Sequence, residues 1–353
     1  MTQTTQFAKS APGSAVPVLE VIDLHVEFRA QGRIVNAVNG ISYAVRQGET
    51  LAILGESGSG KSVSAQAVMG ILDSPPGFVT NGVINFKGDD MLTMESDAQR
   101  RIRGPGVSMI FQDALSALNP VFTVGHQIGE MFRAHEGASR KESKEKAIEL
   151  MERVRIPAAR QRVNDFPHQF SGGMRQRVMI AMALALDPVV LIADEPTTAL
   201  DVTVQAQIME LLKDLQRETG MGLILITHDL GVVNEVADRV AIMYAGKIVE
   251  TGTIDEVFSA PSHPYTEGLM ASIPQVESKG TRLAPITGTP PDLAHIPDGC
   301  SFHPRCPRMR TGADADAGKD CRTDIPPLVE VAPARASACH YSHELLSERG
   351  IDA

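Results

Sequence analysis

The 353-residue chain contains no tryptophan, and aromatic residues make up only 4% of it. A surface built to stack nucleobases is therefore not expected. Excess positive charge is missing too: 33 Lys and Arg stand against 43 Asp and Glu, giving a formal charge of -10. Nucleic-acid binding needs a basic footprint and is set aside, while the acidic balance reads as solubility. No apolar run reaches the roughly 18 residues that a spanning helix needs. The longest candidate, residues 178–193, is broken by Asp187-Pro188, so the chain is not expected to cross a membrane by itself. Residues 1–17 hold Thr, Gln, Ser, Ala and Pro without an apolar stretch or a basic start. They read as a disordered leader and not as a signal peptide. Cysteine is scarce, and all four lie at or beyond Cys300. Without an export signal, clustered cysteines point to a metal site before disulfides.

What is present suggests an α/β fold. Leu24, Val26 and Phe28 alternate with His25 and Glu27, a period of two that predicts a strand. Residues 51–54 form a second strand that runs into a Gly-rich loop, and an apolar helical pattern follows over 60–72. Residues 144–155 are charged and helical, with Ile148, Met151 and Val154 on one face. They belong to a helical subdomain inserted over about 113–185. Strands return at 189–193 and 223–227, flanking a helix whose buried stripe is Val204, Ile208, Leu211 and Leu215. Strand, helix, strand implies a parallel sheet. Residues 239–251 read as a hairpin turning at Ala245-Gly246-Lys247. Beyond about Pro261 the composition shifts to Pro, Gly and Cys, so the expected division is a leader over 1–17, a main domain over 18–260 and a small irregular extension over 261–353.

The chemistry concentrates in short motifs. Gly55-Glu56-Ser57-Gly58-Ser59-Gly60-Lys61-Ser62 matches G-x-x-x-x-G-K-[ST] between a strand and a helix. Gly55, Gly58 and Gly60 let the backbone N–H groups, Ser57 included, curl around phosphates at a helix N-terminus. Lys61 is expected at the β- and γ-phosphates of ATP and Ser62 on Mg²⁺. Residues 190–195 form an apolar strand ending in Asp194 and Glu195, where a parallel sheet presents its ligand edge. Asp194 is expected to hold Mg²⁺, and Glu195 to orient or deprotonate the attacking water. An acidic pair at a strand end can equally open a turn; the phosphate loop gives it weight.

Phe170-Ser171-Gly172-Gly173-Met174-Arg175-Gln176-Arg177 opens a long helix and resembles the signature motif of ABC-transporter ATPases. The resemblance implies that Ser171 and the N–H groups of Gly172 and Gly173 contact ATP held by a second ATPase subunit. It implies further that Gln112, in Phe111-Gln112-Asp113, touches Mg²⁺ and the water. Ala199-Leu200-Asp201 is similar to the D-loop, with Asp201 near the partner's nucleotide, and His228 to the switch histidine on the γ-phosphate. Phe28 is either the aromatic that stacks on adenine or an inward strand residue. Met174 replaces the common Gln, and a thioether does not supply the hydrogen bonds of an amide.

His263-Pro264-Tyr265-Thr266, Gly288-Thr289-Pro290-Pro291 and residues 299–307 resemble the C-terminal extension of oligopeptide/dipeptide ABC importer ATP-binding subunits. Some members of that family hold a [4Fe–4S] cluster on four cysteines, here Cys300, Cys306, Cys321 and Cys339 in the pattern C-x₅-C-x₁₄-C-x₁₇-C. Thiolates suit iron–sulfur or zinc, and the spacing does not choose. His303 and His340 adjoin cysteines and could replace a thiol on zinc, whereas residues 311–320 read as a surface loop. The resemblance implies an ATPase at the cytoplasmic face of a bacterial inner membrane. Its partners there are a second ABC ATPase, identical or paralogous, two transmembrane permease subunits and, indirectly, an extracytoplasmic peptide-binding protein. Nickel, glutathione or a peptide antibiotic are alternative cargoes. A non-transport ABC ATPase is the remaining alternative, although one phosphate loop and no long coiled-coil insertion speak against it.

Overall fold

The computed structural model describes residues 16–30, 32–198, 200–272, 286–315 and 319–351. The leader expectation falls on residues that, apart from 16 and 17, lie outside these. In chain order the structure runs through β1 (Leu19–Ala30), β2 (Arg33–Val45), β3 (Thr50–Leu54), α1 (Lys61–Met69), β4 (Gly77–Phe86), β5 (Asp89–Asp90), α2 (Ser96–Ile102) and β6 (Val107–Ile110). A helical stretch follows with α3 (Ala114–Ala117), α4 (Val124–Glu136), α5 (Arg140–Arg153), α6 (Ala159–Arg162) and α7 (Gly172–Leu184). Next come β7 (Val190–Asp194), α8 (Val202–Thr219), β8 (Gly222–Thr227), α9 (Leu230–Val236), β9 (Arg239–Tyr244) and β10 (Lys247–Thr253). The chain closes with α10 (Ile254–Ser259), α11 (Pro264–Ala271), β11 (Val329–Ala332), β12 (Arg335–Ser337) and α12 (Ser342–Ser347). The fold is α/β, with an antiparallel N-terminal sheet, a helical insertion between β6 and β7, and a Cys-containing extension.

Two compact units make up the chain, the first from Met1–Glu20, Ala44–Thr50 and Asn85–Ile226, the second from Val21–Tyr43, Leu51–Ile84 and Thr227–Ala353. In the first, β6, β7 and β8 pair in parallel, with Ile110 opposite Ala193 and Asp194 opposite Ile226. All five residues of β7 and all six of β8 are buried, as expected of strands covered on both faces. Helix α5 buries Ile148 and Met151, with Val154 at its C-cap, as the apolar spacing requires. Helix α8 buries Ile208, Leu211 and Leu215, but Val204 is only half-buried. It faces the first turn of α7: a Cβ on Gly173 would lie 2.5 Å from the Val204 Cγ1.

In the second unit β3 pairs in parallel with β9, which turns back into β10. Ala245 and Gly246 have φ of 48° and 76°. Two successive left-handed residues give the tight hairpin turn expected there. Helix α1 stops at Met69, short of the 60–72 span, because Gly70 takes φ 62° and its N–H bonds Ala67 O. The extension is more regular than its composition suggests, since β12 pairs with β10 and β11 with β12. Its attachment includes a buried pair, Arg335 with Glu250, at 3.0 Å and side-chain exposures of 3% and 0%. The N–H groups of Ser262 and His263 also donate to that carboxylate, so both of its oxygens are hydrogen-bonded, whereas the buried Arg335 Nε has no partner among the described residues.

Candidate functional site

Residues 55–62 leave β3 and enter α1, as the motif requires. Two glycines are enforced by close backbone approach: a Cβ on Gly55 would lie 2.2 Å from Met243 O, and one on Gly60, at φ 100°, 2.2 Å from Ala37 O. Only glycine fits there. Helix α1 starts after Gly60 with no side-chain cap, the kind of helix start that receives an anion. Lys61 is buried, and its ammonium donates to Gly55 O at 2.8 Å and Glu56 O at 3.0 Å. Ser57 and Gly58 are exposed and Ser62 half-buried. Phe28, toward the end of β1, is half-buried, which fits either expected role. His228 is exposed just past β8, and the next residue, Asp229, caps α9 by accepting from Gly231 and Val232 N–H.

The parallel register of β6 and β7 brings the residues that leave them side by side. Glu195 follows β7 and accepts from Gln112 Nε2 at 3.0 Å and from Thr198 Oγ1 at 2.9 Å. Its backbone sits at φ 45°, held by a bond from Glu195 N–H to Ile226 O at 2.8 Å. A non-glycine residue in that region carries strain, which concentrates at functional sites. Asp194, 3% exposed, ends β7 beside it. Gln112 and Glu195, 83 residues apart, are thus brought together. Thr198 was not anticipated; a hydroxyl three residues beyond the carboxylate was its only sequence signal.

Ser171 caps α7, its Oγ accepting from Met174 N–H at 3.4 Å, with Gly172 and Gly173 in the first turn. The Met174 thioether accepts from Arg162 Nη1 at 3.4 Å, and the same guanidinium lies 4.4 Å from the Phe170 ring centroid. Met174 therefore takes a weak hydrogen bond through sulfur, a contact to Arg162 that the sequence did not signal. Asp201 caps α8 by accepting from Val204 N–H at 2.9 Å. Of the D-loop, Ala199 lies outside the described residues.

Cys300, Cys306, Cys321 and Cys339 line one cavity of about 290 Å³ together with His263, His303 and His340. Burial pushes the Cys306 thiol up to about 11 and the Cys339 thiol up to about 12, and raises Cys300 as well. His303 Nδ1 is within 2.9 Å of Cys300 O and His340 Nε2 within 2.9 Å of Asp324 O. Both rings are thereby engaged with backbone. Among the described residues no group of three or more His, Cys, Asp or Glu is compact enough for a single metal ion. No helix among them is long and apolar enough to cross a membrane.

Residues 38–198 match the ABC transporter family, and 249–312 match the C-terminal region of the oligopeptide/dipeptide transporter family. The oligopeptide transport ATP-binding protein OppD of Bacillus subtilis is 56% identical over 81% of this chain and 80% of its own length. The dipeptide transport ATP-binding protein DppD of the same organism is 52% identical over 87% and 92%. Among solved structures, a dimeric post-hydrolysis ATP-binding cassette bound to ADP and Pi superposes with a TM-score of 0.60 at 28% identity, covering 67% of this chain and 98% of that one. Phosphate loop, carboxylate and signature helix all lie within residues 38–198, the stretch that matches the ABC transporter family; the chain is an ABC ATPase and belongs to the ATP-binding subunits of the oligopeptide/dipeptide importer family.

Proposed function

We propose that this chain hydrolyses ATP to power uptake of di- or oligopeptides, seated at the cytoplasmic face of a bacterial inner membrane. Its partners are two permease subunits and a second ABC ATPase, and an extracytoplasmic binding protein delivers the peptide. The observation that carries the ATPase reading is the Glu195 carboxylate, fixed by Gln112 and Thr198 at the exit of β7. Oriented by two donors, it is suited to take a proton from a water attacking the γ-phosphate. In this reading residues 55–62 bind the ATP phosphates, Lys61 neutralises β and γ, and Phe28 stacks on adenine. Ser62, Asp194 and Gln112 hold Mg²⁺, which offsets the charge developing on the phosphoryl oxygens. His228 donates to the γ-phosphate. Ser171, Gly172, Gly173 and Asp201 serve the ATP of the partner subunit, so that nucleotide joins two subunits and hydrolysis lets them separate. The peptide cargo rests on the match of the C-terminal region and on the names of the relatives. ATP-dependent uptake of a labelled peptide into vesicles holding the whole transporter tests it; ATP turnover stimulated by another cargo but by no peptide would sink it.

For the cysteine cavity we propose a [4Fe–4S] cluster. Four thiols line one cavity of about 290 Å³, and thiolates are the ligands that hold iron–sulfur clusters. Deprotonated thiols would bind it, which offsets the cost that burial places on the thiolates. Anaerobic purification followed by iron, sulfide and zinc analysis decides, and stoichiometric zinc without iron would overturn the cluster.

A further inference from the structure

The second residue of the phosphate loop is held from the far end of the chain. The Glu56 carboxylate receives both arms of the Arg305 guanidinium, Nη1 to Oε2 at 2.6 Å and Nη2 to Oε1 at 3.0 Å. The Glu56 N–H donates to the Tyr265 hydroxyl at 3.0 Å. Its carbonyl accepts from the Lys61 ammonium at 3.0 Å and from Ser59 N–H at 3.2 Å. Every polar group of Glu56 is therefore engaged, and two of the three are engaged by residues more than 200 positions later.

Those two residues are themselves rigid. Arg305 has a side-chain exposure of 5%, and its Nε donates to Thr287 O at 3.0 Å while Nη1 lies 3.4 Å from the Tyr244 hydroxyl. Tyr265 is 0% exposed, with its ring centroid 4.6 Å from that of Tyr244 and 5.4 Å from that of Phe302. Aromatic packing of this kind leaves a side chain no alternative rotamer at low cost. A bidentate guanidinium–carboxylate pair fixes orientation as well as distance, which an ammonium cannot do. Arg305 immediately precedes Cys306, so the turn that reaches the loop also brings a thiol to the cavity.

From this geometry we infer that Arg305 and Tyr265 are positioning residues of the nucleotide site: by pinning Glu56 they set the course of residues 55–61 and the place of the Lys61 ammonium before ATP arrives. A loop already fixed in its binding shape loses less entropy on closing around phosphates. The C-terminal module then belongs functionally to the phosphate loop. This rests on residues 55–62 being the nucleotide loop.

Full-length protein carrying Arg305→Gln, Arg305→Lys, Tyr265→Phe, Glu56→Gln or the double Glu56→Gln/Arg305→Gln tests it. MgADP affinity and amide hydrogen exchange across residues 55–62 are the readouts, with Lys61→Ala and wild type as controls. Arg305→Gln is expected to weaken MgADP by about tenfold and to speed exchange in the loop, as a lost charge-assisted fork should. The lysine variant should not rescue either effect, and the double variant should be no worse than Arg305→Gln alone. Tyr265→Phe, which removes a single hydroxyl, should give a smaller change of the same kind and covers the case in which Arg305→Gln does not fold. Unchanged affinity and exchange in the folded variants, even with a lowered melting temperature, would reduce the contact to a stability clamp and overturn the inference. So would rescue by lysine or additive losses in the double variant. If wild type and Lys61→Ala bind MgADP equally, the assignment of the loop itself fails, a different result from the variants matching a wild type that binds.

Discussion

The carboxylate region and the phosphate loop solve the same problem in opposite ways. Around Glu195 positioning is local: parallel register between β6 and β7 delivers Gln112, and Thr198 lies three residues on. Around residues 55–62 it is remote. Met243 and Ala37 carbonyls crowd the glycines, and Arg305 and Tyr265 hold Glu56. Around Glu195 the ladder fixes the ends of β6 and β7, and the bond from Glu195 N–H to Ile226 O holds the strained backbone just past it. A loop that leaves a strand to meet a ligand has no ladder to fix it and is held by its own turn and by side chains from elsewhere.

Three substitutions probe that contrast. Glu195→Gln keeps both neighbours but removes the base, so ATP turnover should fall by about 10²–10⁴-fold while nucleotide binding persists. Steady-state phosphate release beside MgATP binding measures it, and near-normal turnover would remove Glu195 from the chemistry. Gly60→Ala comes next, because its methyl meets Ala37 O and its backbone stays left-handed. A loss of about 1–3 kcal/mol in stability is expected, together with MgADP affinity. Gly58→Ala meets nothing within 4 Å and should cost less, only the strain of φ 79°. Thermal unfolding of the two variants side by side decides whether close approach or φ dominates. Thr198→Val should have the smallest effect, lowering turnover by several-fold at unchanged MgADP affinity, since Gln112 still holds the same carboxylate oxygen. If it matches Glu195→Gln, positioning around Glu195 is less redundant than the two donors suggest.

Much of this was legible beforehand. The parallel strands showed as apolar runs, the Ala245-Gly246 turn as a composition break, and residues 55–62 as a spacing that needs glycine at fixed points. Gln112, Glu195 and Ser171 stood in motifs whose order resembled one family. Val204 was misplaced because its helical spacing matches the buried stripe of α8, yet at the helix start that face meets Gly173 instead of the core. Arg162 carried no functional signal and Thr198 only its place three residues beyond Glu195, while Arg305 and Tyr265 stood in stretches that resemble the family's C-terminal extension without showing what they touch.

The sequence alone determined the ATP-binding chemistry, the family and the cysteine set, because these depend on residue types at short, fixed spacings. Only the tertiary structure decided what holds that chemistry in place. Arg305 and Glu56 lie 249 residues apart, and nothing in the chain between them announces that a turn beside Cys306 ends at the phosphate loop. Long-range contacts are settled by how whole elements pack, and that is a property of the folded chain and not of any segment of it.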